Sequence, residues 1–173
     1  MNKKFTSIYG YLAMTSGILW LGAYLSKILI TYRMFEEREP VIKNIINDSN
    51  LSVLMEMILP VFTLASISYI IMIISFTLYL TFSSIKLKEN GWLFIIAVII
   101  YITLPFEILL LVEDYNLIIL ILNQNFGYRD IINLLTDGLM KLGSFPIILI
   151  ISYISIPYFL VFKPFTLIKN NEN

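Results

Sequence analysis

The sequence predicts an all-α integral membrane protein. Four helices cross a bilayer up-down-up-down, and a short peripheral amphipathic helix lies between the third and fourth. Three observations predict this. Residues 91–112 read GWLFIIAVIIYITLPFEILLLV, apolar apart from Glu107, which is the pattern of a membrane-spanning helix. Three further apolar stretches stand at about 6–30, 53–80 and 145–162. The composition is 58% hydrophobic and 14% charged, with mean hydropathy +0.84, whereas a soluble domain carries about 25% charged residues. Such a chain cannot cover its surface with polar groups, so lipid must cover part of it.

Helix 1 (6–30) follows MNKKF, which has the charge of a signal-peptide n-region. The uncharged run over 5–26 is longer than an h-region of about 7–15 residues, and no small-x-small site closes it. It reads as an uncleaved first span. Gly10, Ala13, Gly17, Gly22 and Ser26 recur at helical intervals. Small residues let helix backbones approach closely in lipid, so a packing face within this bundle is expected, with a dimer face as the alternative. Trp20 lies mid-span and is expected to pack against another helix.

Loop 1 (31–52) is charged. Its EEREP stretch at 36–40 pairs acids without a histidine or metal partner, so it reads as solvated chain rather than as a catalytic site. Asn47-Asp48-Ser49 and Asn50-Leu51-Ser52 match the glycosylation pattern, but a polar cluster is needed here to cap helix 2. Helix 2 (53–80) sits in an uncharged run over 57–85, so it tilts or extends into water. Loop 2 (85–91) is the tight turn IKLKENG, and helix 3 follows over 92–112.

Loop 3 (113–144) is the largest. It holds an apolar run at 117–122 too short to span, and a turn at 123–127. A stripe of Ile131, Leu134, Leu135, Gly138 and Leu142 follows, with Asn133, Asp137 and Lys141 elsewhere. That is an amphipathic helix expected to cap the bundle. Helix 4 runs over 145–162. With no repeat and no Gly/Ser linker, residues 1–173 read as a single domain.

Four crossings put the N-terminus, loop 2 and the C-terminus on one side. That side carries Lys3, Lys4, Lys86, Lys88, Lys163 and Lys169 in short segments near span ends, where basic residues mark the cytoplasm. Both termini are therefore expected to be cytoplasmic. The excess of isoleucine and lysine over alanine and arginine points to an AT-rich genome, and a bacterial plasma membrane is the expected location. Trp92, Tyr9 and Tyr11 fall near the inner interface, where amphipathic rings commonly sit.

Absences narrow the function. The chain has no cysteine and no histidine, which removes thiolate chemistry, Cys- or His-ligated metals and Ser-His systems. Lys and Arg total 12 against 12 acids, so no basic excess draws nucleic acid. No catalytic residue, metal site or cofactor is expected, and no nucleic acid partner.

Lys27, Glu56 and Glu107 are the charges expected inside the spans, and such charges mark candidate sites. At 1.5 Å per residue they lie about 5, 5 and 7–8 Å below the outer ends of their helices. Pro60 and Pro105 share that layer as helix kinks that free the carbonyls of Glu56 and Tyr101. Two uses follow: a shallow cation or ligand site, or a structural Lys27–Glu107 or Lys27–Glu56 pair. The middle of the spans is expected to hold no ionisable group except tyrosines. The leading functional expectation is a non-enzymatic accessory, assembly or scaffold subunit. It would act through helix association with lipid around it and another membrane protein, or itself, as partner. The alternative is a small oligomeric channel or transporter using Lys27, Glu56 and Glu107.

Overall fold

The computed structural model describes residues 3–36, 42–123, 127–142 and 145–166. Among them are five helices and no strand: α1 (Lys3–Met34), α2 (Asp48–Phe82), α3 (Gly91–Leu122), α4 (Tyr128–Leu142) and α5 (Phe145–Phe162). The EEREP acids beyond Glu36, the centre of the expected 123–127 turn and Lys169 lie outside the described residues. So do the side-chain surroundings of Lys3, Lys4, Gly138, Lys141 and Leu142. Helices α1, α2, α3 and α5 are long and apolar enough to cross a membrane, and the protein is a multi-pass membrane bundle. Ile18, Leu29, Met57, Ile67, Ile102 and Ile151 face outward, as lipid contact requires.

Each helix begins and ends for local reasons. Asn47 caps α2 by accepting from Ser49 N at 3.1 Å, and Asn50 Oδ1 accepts from Asn47 N at 2.9 Å. Two orphan amides are thereby satisfied. The asparagines of both glycosylation-like triplets are engaged in this cap. At the other end of the bundle, Gly91 N donates to Phe165 O at 3.0 Å, and a Cβ on Gly91 would sit 2.7 Å from Phe165 Cβ. Only glycine fits that crossing. Lys163 and Phe165 adopt positive φ, which turns the chain back so that Thr166 bridges Asn90. Thr6 Oγ1 also donates to Phe82 O at 3.3 Å. The start of α1, the 83–90 turn and the segment after α5 therefore gather at one end.

Helices α1 and α2 form the closest pair. A Cβ on Gly10 would lie 3.1 Å from the Tyr79 ring, and one on Gly17 would lie 3.2 Å from Met72 Sδ. Ala13 is buried beside them. Gly22 and Ser26 depart from the expected face: nothing approaches a Cβ at Gly22, and Ser26 is exposed, its hydroxyl bonded to Gly22 O. The helical phase explains this, since five residues separate Gly17 from Gly22 and carry it off the stripe. Trp20 is 1% exposed and meets Tyr24, Tyr69 and Tyr153 at centroid distances of 5.1, 5.3 and 4.4 Å. It joins α1, α2 and α5 at mid-bundle.

Helix α3 corrects the expected boundary at 112. It continues to Leu122, so the run over 117–122 is its last turns rather than a piece of loop. No glycine or proline interrupts the chain between Pro105 and Gly127. The buried positions Ile96, Ile100, Thr103, Glu107, Leu110, Asp114, Leu117 and Ile121 recur at three- and four-residue steps, a seam that a single helix must present to its neighbours. At about 48 Å, α3 exceeds the roughly 30 Å hydrocarbon layer, so it tilts or protrudes.

Two apolar clusters fill the bundle. One joins α1, α2, α3 and α5 around Trp20, Phe76, Leu93 and Leu149. The other lies at the far end, where Met55, Phe62, Leu117 and Ile121 meet Ile131 and Leu135 of α4. Helix α4 thus caps the bundle, as its stripe predicts. Loop 1 is less solvated than its charges imply. Phe35 and Ile42 form an antiparallel bridge and are buried with Ile46 beneath that cap.

Candidate functional site

Where the two apolar clusters meet, the bundle encloses charge. Lys27 Nζ lies 2.7 Å from Asp114 Oδ2, joining α1 to α3. Both residues are buried, at 7% and 8% exposure. The ammonium also stands 4.9 Å from the Tyr24 ring centroid and 5.6 Å from that of Phe62, so two aromatic faces complete its shell. A Lys so enclosed is held by the pair and by these rings together. Thr31, one turn further along α1, returns its hydroxyl to Lys27 O at 2.8 Å, which satisfies that group locally.

Glu107 lies on the same seam of α3, seven residues before Asp114 and so about two turns, or 10 Å, deeper. It is 2% exposed, and its Oε1 has no hydrogen-bond partner among the described residues. The fields of Lys27 and Asp114 both reach it. Hydroxyls line the level beneath. Tyr153 Oη and Thr103 Oγ1 are 3.1 Å apart. Tyr69 Oη approaches Tyr153 but lacks hydrogen-bond geometry to it. Beyond Trp20 the column turns mostly apolar, with Met72, Phe76, Ile96, Ala97 and Ile100 buried across it beside Ser75 and Ser16, whose hydroxyl turns back to Leu12 O.

A cavity of about 70 Å³ opens onto the ion pair from the α4 end. Lys27, Asp114, Tyr24 and Phe62 line it, together with Thr31, Leu110, Glu113 and Leu117 and with Leu134 and Leu135 of α4. At about 10–15 Å³ per water it has room for several waters. Glu107 does not line it. The cavity reaches past the ion pair to Tyr24 and Leu110, and Leu110 is one turn of α3 from the deeper acid.

This arrangement revises the expected site in three respects. Lys27 pairs with Asp114, not with Glu107 or Glu56. Glu56 is exposed: the inward positions of α2 run Leu51, Met55, Ile58, Phe62, and Glu56 falls about 100° past Met55. Glu107 is not shallow. It lies about 24 Å from Gly91 and about 22 Å from Leu122, at the middle of α3, because the helix runs on past Val112. The middle of the bundle thus contains an ionisable carboxyl. Pro60 and Pro105 do not interrupt their helices. Both are exposed, as are Glu56 and Tyr101, so the carbonyls they free lie on outward sides of the bundle.

Asp114 is the residue that sequence reasoning misses. Its signal was the interval of seven from Glu107, which sets two acids on one helix face. Reading Glu113-Asp114 as the start of a loop conceals it. Among the described residues, no group of three or more His, Cys, Asp or Glu is placed to hold a metal ion. No protein-family model, curated protein or solved structure matches the chain, so the functional reading rests on this geometry.

Proposed function

We propose that the protein is a non-enzymatic multi-pass membrane protein that takes up one small cation, a proton or a metal ion, at a buried site reached from one side of the bilayer. One observation carries this reading: two buried acids, Asp114 and Glu107, lie within the field of one ammonium, that of Lys27, which pairs with Asp114. With all three ionised, the cluster is one positive charge short. Unpaired charge in such surroundings costs several kcal/mol, which a single bound cation offsets. The cavity supports access from the α4 end, and the apolar layer beneath Trp20 supports a closed floor rather than a standing pore. The lack of cysteine and histidine supports a role without catalysis.

With the lysines of the 83–90 turn and Lys163 facing the cytoplasm of a bacterial plasma membrane, both termini are inside and the cavity faces out. The accessory-subunit reading keeps one specific support. Helix α5 is the least enclosed span, and its Ile147, Ile151, Ile154 and Tyr158 are exposed. Those positions meet lipid, another membrane protein or a second copy. The small-residue face at Gly10, Ala13 and Gly17 is occupied by α2, and the inward face of α4 by the bundle, so neither adds to it.

Thermal unfolding in detergent tests the cation site. Wild-type stability should respond saturably to proton concentration or to one of Li⁺, Na⁺ and K⁺ at constant ionic strength, because a ligand of the folded state stabilises it by mass action. Glu107→Gln, a neutral isostere, should fold and lose that response. Identical responses in both proteins would sink the proposal.

A further inference from the structure

We infer that the cation is a proton, carried by Glu107 at the centre of the bundle and exchanged through the cavity above Lys27 and Asp114. This rests on the cation-site reading and names its occupant. The first argument is the supply of oxygen donors. A hard metal cation draws on several oxygens, about six to eight for Ca²⁺. Several oxygens at this level are already engaged. Asp114 Oδ2 holds Lys27, and Thr103 and Tyr153 hold each other. Two buried atoms stand without a partner among the described residues near the acid: Glu107 Oε1 and Tyr69 Oη. One carboxyl and one phenol make a poor metal shell, but they suit a proton. A protonated carboxyl gains an O–H donor while keeping acceptor capacity, and a phenol can answer either way.

The second argument is charge. Every helix packed around Glu107 contributes to its surroundings. Helix α1 brings Lys27 and Tyr24, α2 brings Tyr69, α3 brings Asp114 and the half-buried Glu113 at the cavity wall, and α5 brings Tyr153. Helix α4 reaches the cavity with Leu134 and Leu135. Lys27 is committed to Asp114 at 2.7 Å, so one proton on Glu107 brings the cluster to neutrality. The step is a plain proton transfer. A hydronium in the cavity gives up its proton; because Glu107 does not line the cavity, the proton reaches it through water admitted past Asp114, an O–H bond forms at Glu107, and water is left. Asp114 and Lys27 lie on the way and position that transfer.

Infrared difference spectroscopy of the purified protein in detergent reads the proton directly. At neutral pH the wild type should show one protonated-carboxyl C=O band that shifts in D₂O. The band should vanish in Glu107→Gln, weaken in Asp114→Asn, where Glu107 ionises to answer the unpaired Lys27, and change frequency in Tyr69→Phe. Carboxyl-¹³C glutamate shifts the band without any substitution, and Glu107→Asp should move it rather than abolish it, so the assignment survives a variant that fails to fold. A folded wild type without the band overturns the inference. So does a band that persists unchanged in a folded Glu107→Gln. In either case, an alkali-ion response that Glu107→Gln abolishes leaves the cation site standing with a metal occupant, whereas the lack of any response removes both.

Discussion

Lys27 of α1 and Asp114 of α3 meet at 2.7 Å inside the bundle, and the carboxyl of Glu107 sits two turns deeper on the same face of α3. That relation sets a direct test of the ion pair. Lys27→Met and Asp114→Leu should each destabilise by about 3–5 kcal/mol, because each leaves one charge buried without its partner. The double variant should recover most of the loss. Unfolding of all four proteins in detergent gives the double-mutant cycle, and additive losses would remove the pair as a unit.

Glu56 and Glu107 should behave oppositely. Glu56 is exposed on α2, so Glu56→Leu should change stability by less than about 0.5 kcal/mol, as outward substitutions generally do. Glu107→Leu removes a buried carboxyl and should alter both stability and the response to cations. Parallel melting curves of the two variants make the comparison.

The α1 glycines should divide by the space around them. Gly17→Leu drives a side chain into Met72 and should cost about 1–3 kcal/mol, the usual range for overpacking. Gly22→Leu meets nothing within 4 Å and should leave the monomer's stability unchanged. If Gly22→Leu instead dissolves an oligomer seen by light scattering, the exposed Gly22–Ser26 side of α1 is a contact between chains.

Trp20→Ala should be among the most damaging single changes, at about 3–5 kcal/mol, since the indole touches rings from its own helix and two others. Trp20→Phe should recover part of the loss. Near-neutral Trp20→Ala would mean that the aromatic junction contributes little to holding α1, α2 and α5 together.

The lack of native cysteine makes topology measurable. Lys88→Cys should react with an impermeant thiol reagent only from the cytoplasmic side, and Asp137→Cys only from the outside. The reverse pattern would invert the proposed orientation.

The amino-acid order by itself determined that this chain lives in lipid, that four helices cross, and that an amphipathic segment caps one end. These follow from local quantities: apolar length, breaker positions and helical periodicity. The α2 cap at Asn47 and the tight approach at Gly10 and Gly17 were legible for the same reason. Which acid answers Lys27 was not. That depends on how far α3 continues and on its rotation against α1, and both are set by packing between segments far apart in the chain. Asp114 resembles a loop acid until Lys27 stands beside it, and Glu56 resembles a buried one until the phase of α2 turns it outward. A helix carries its own periodicity in its sequence, but the partner across an interface is chosen only when the faces are pressed together.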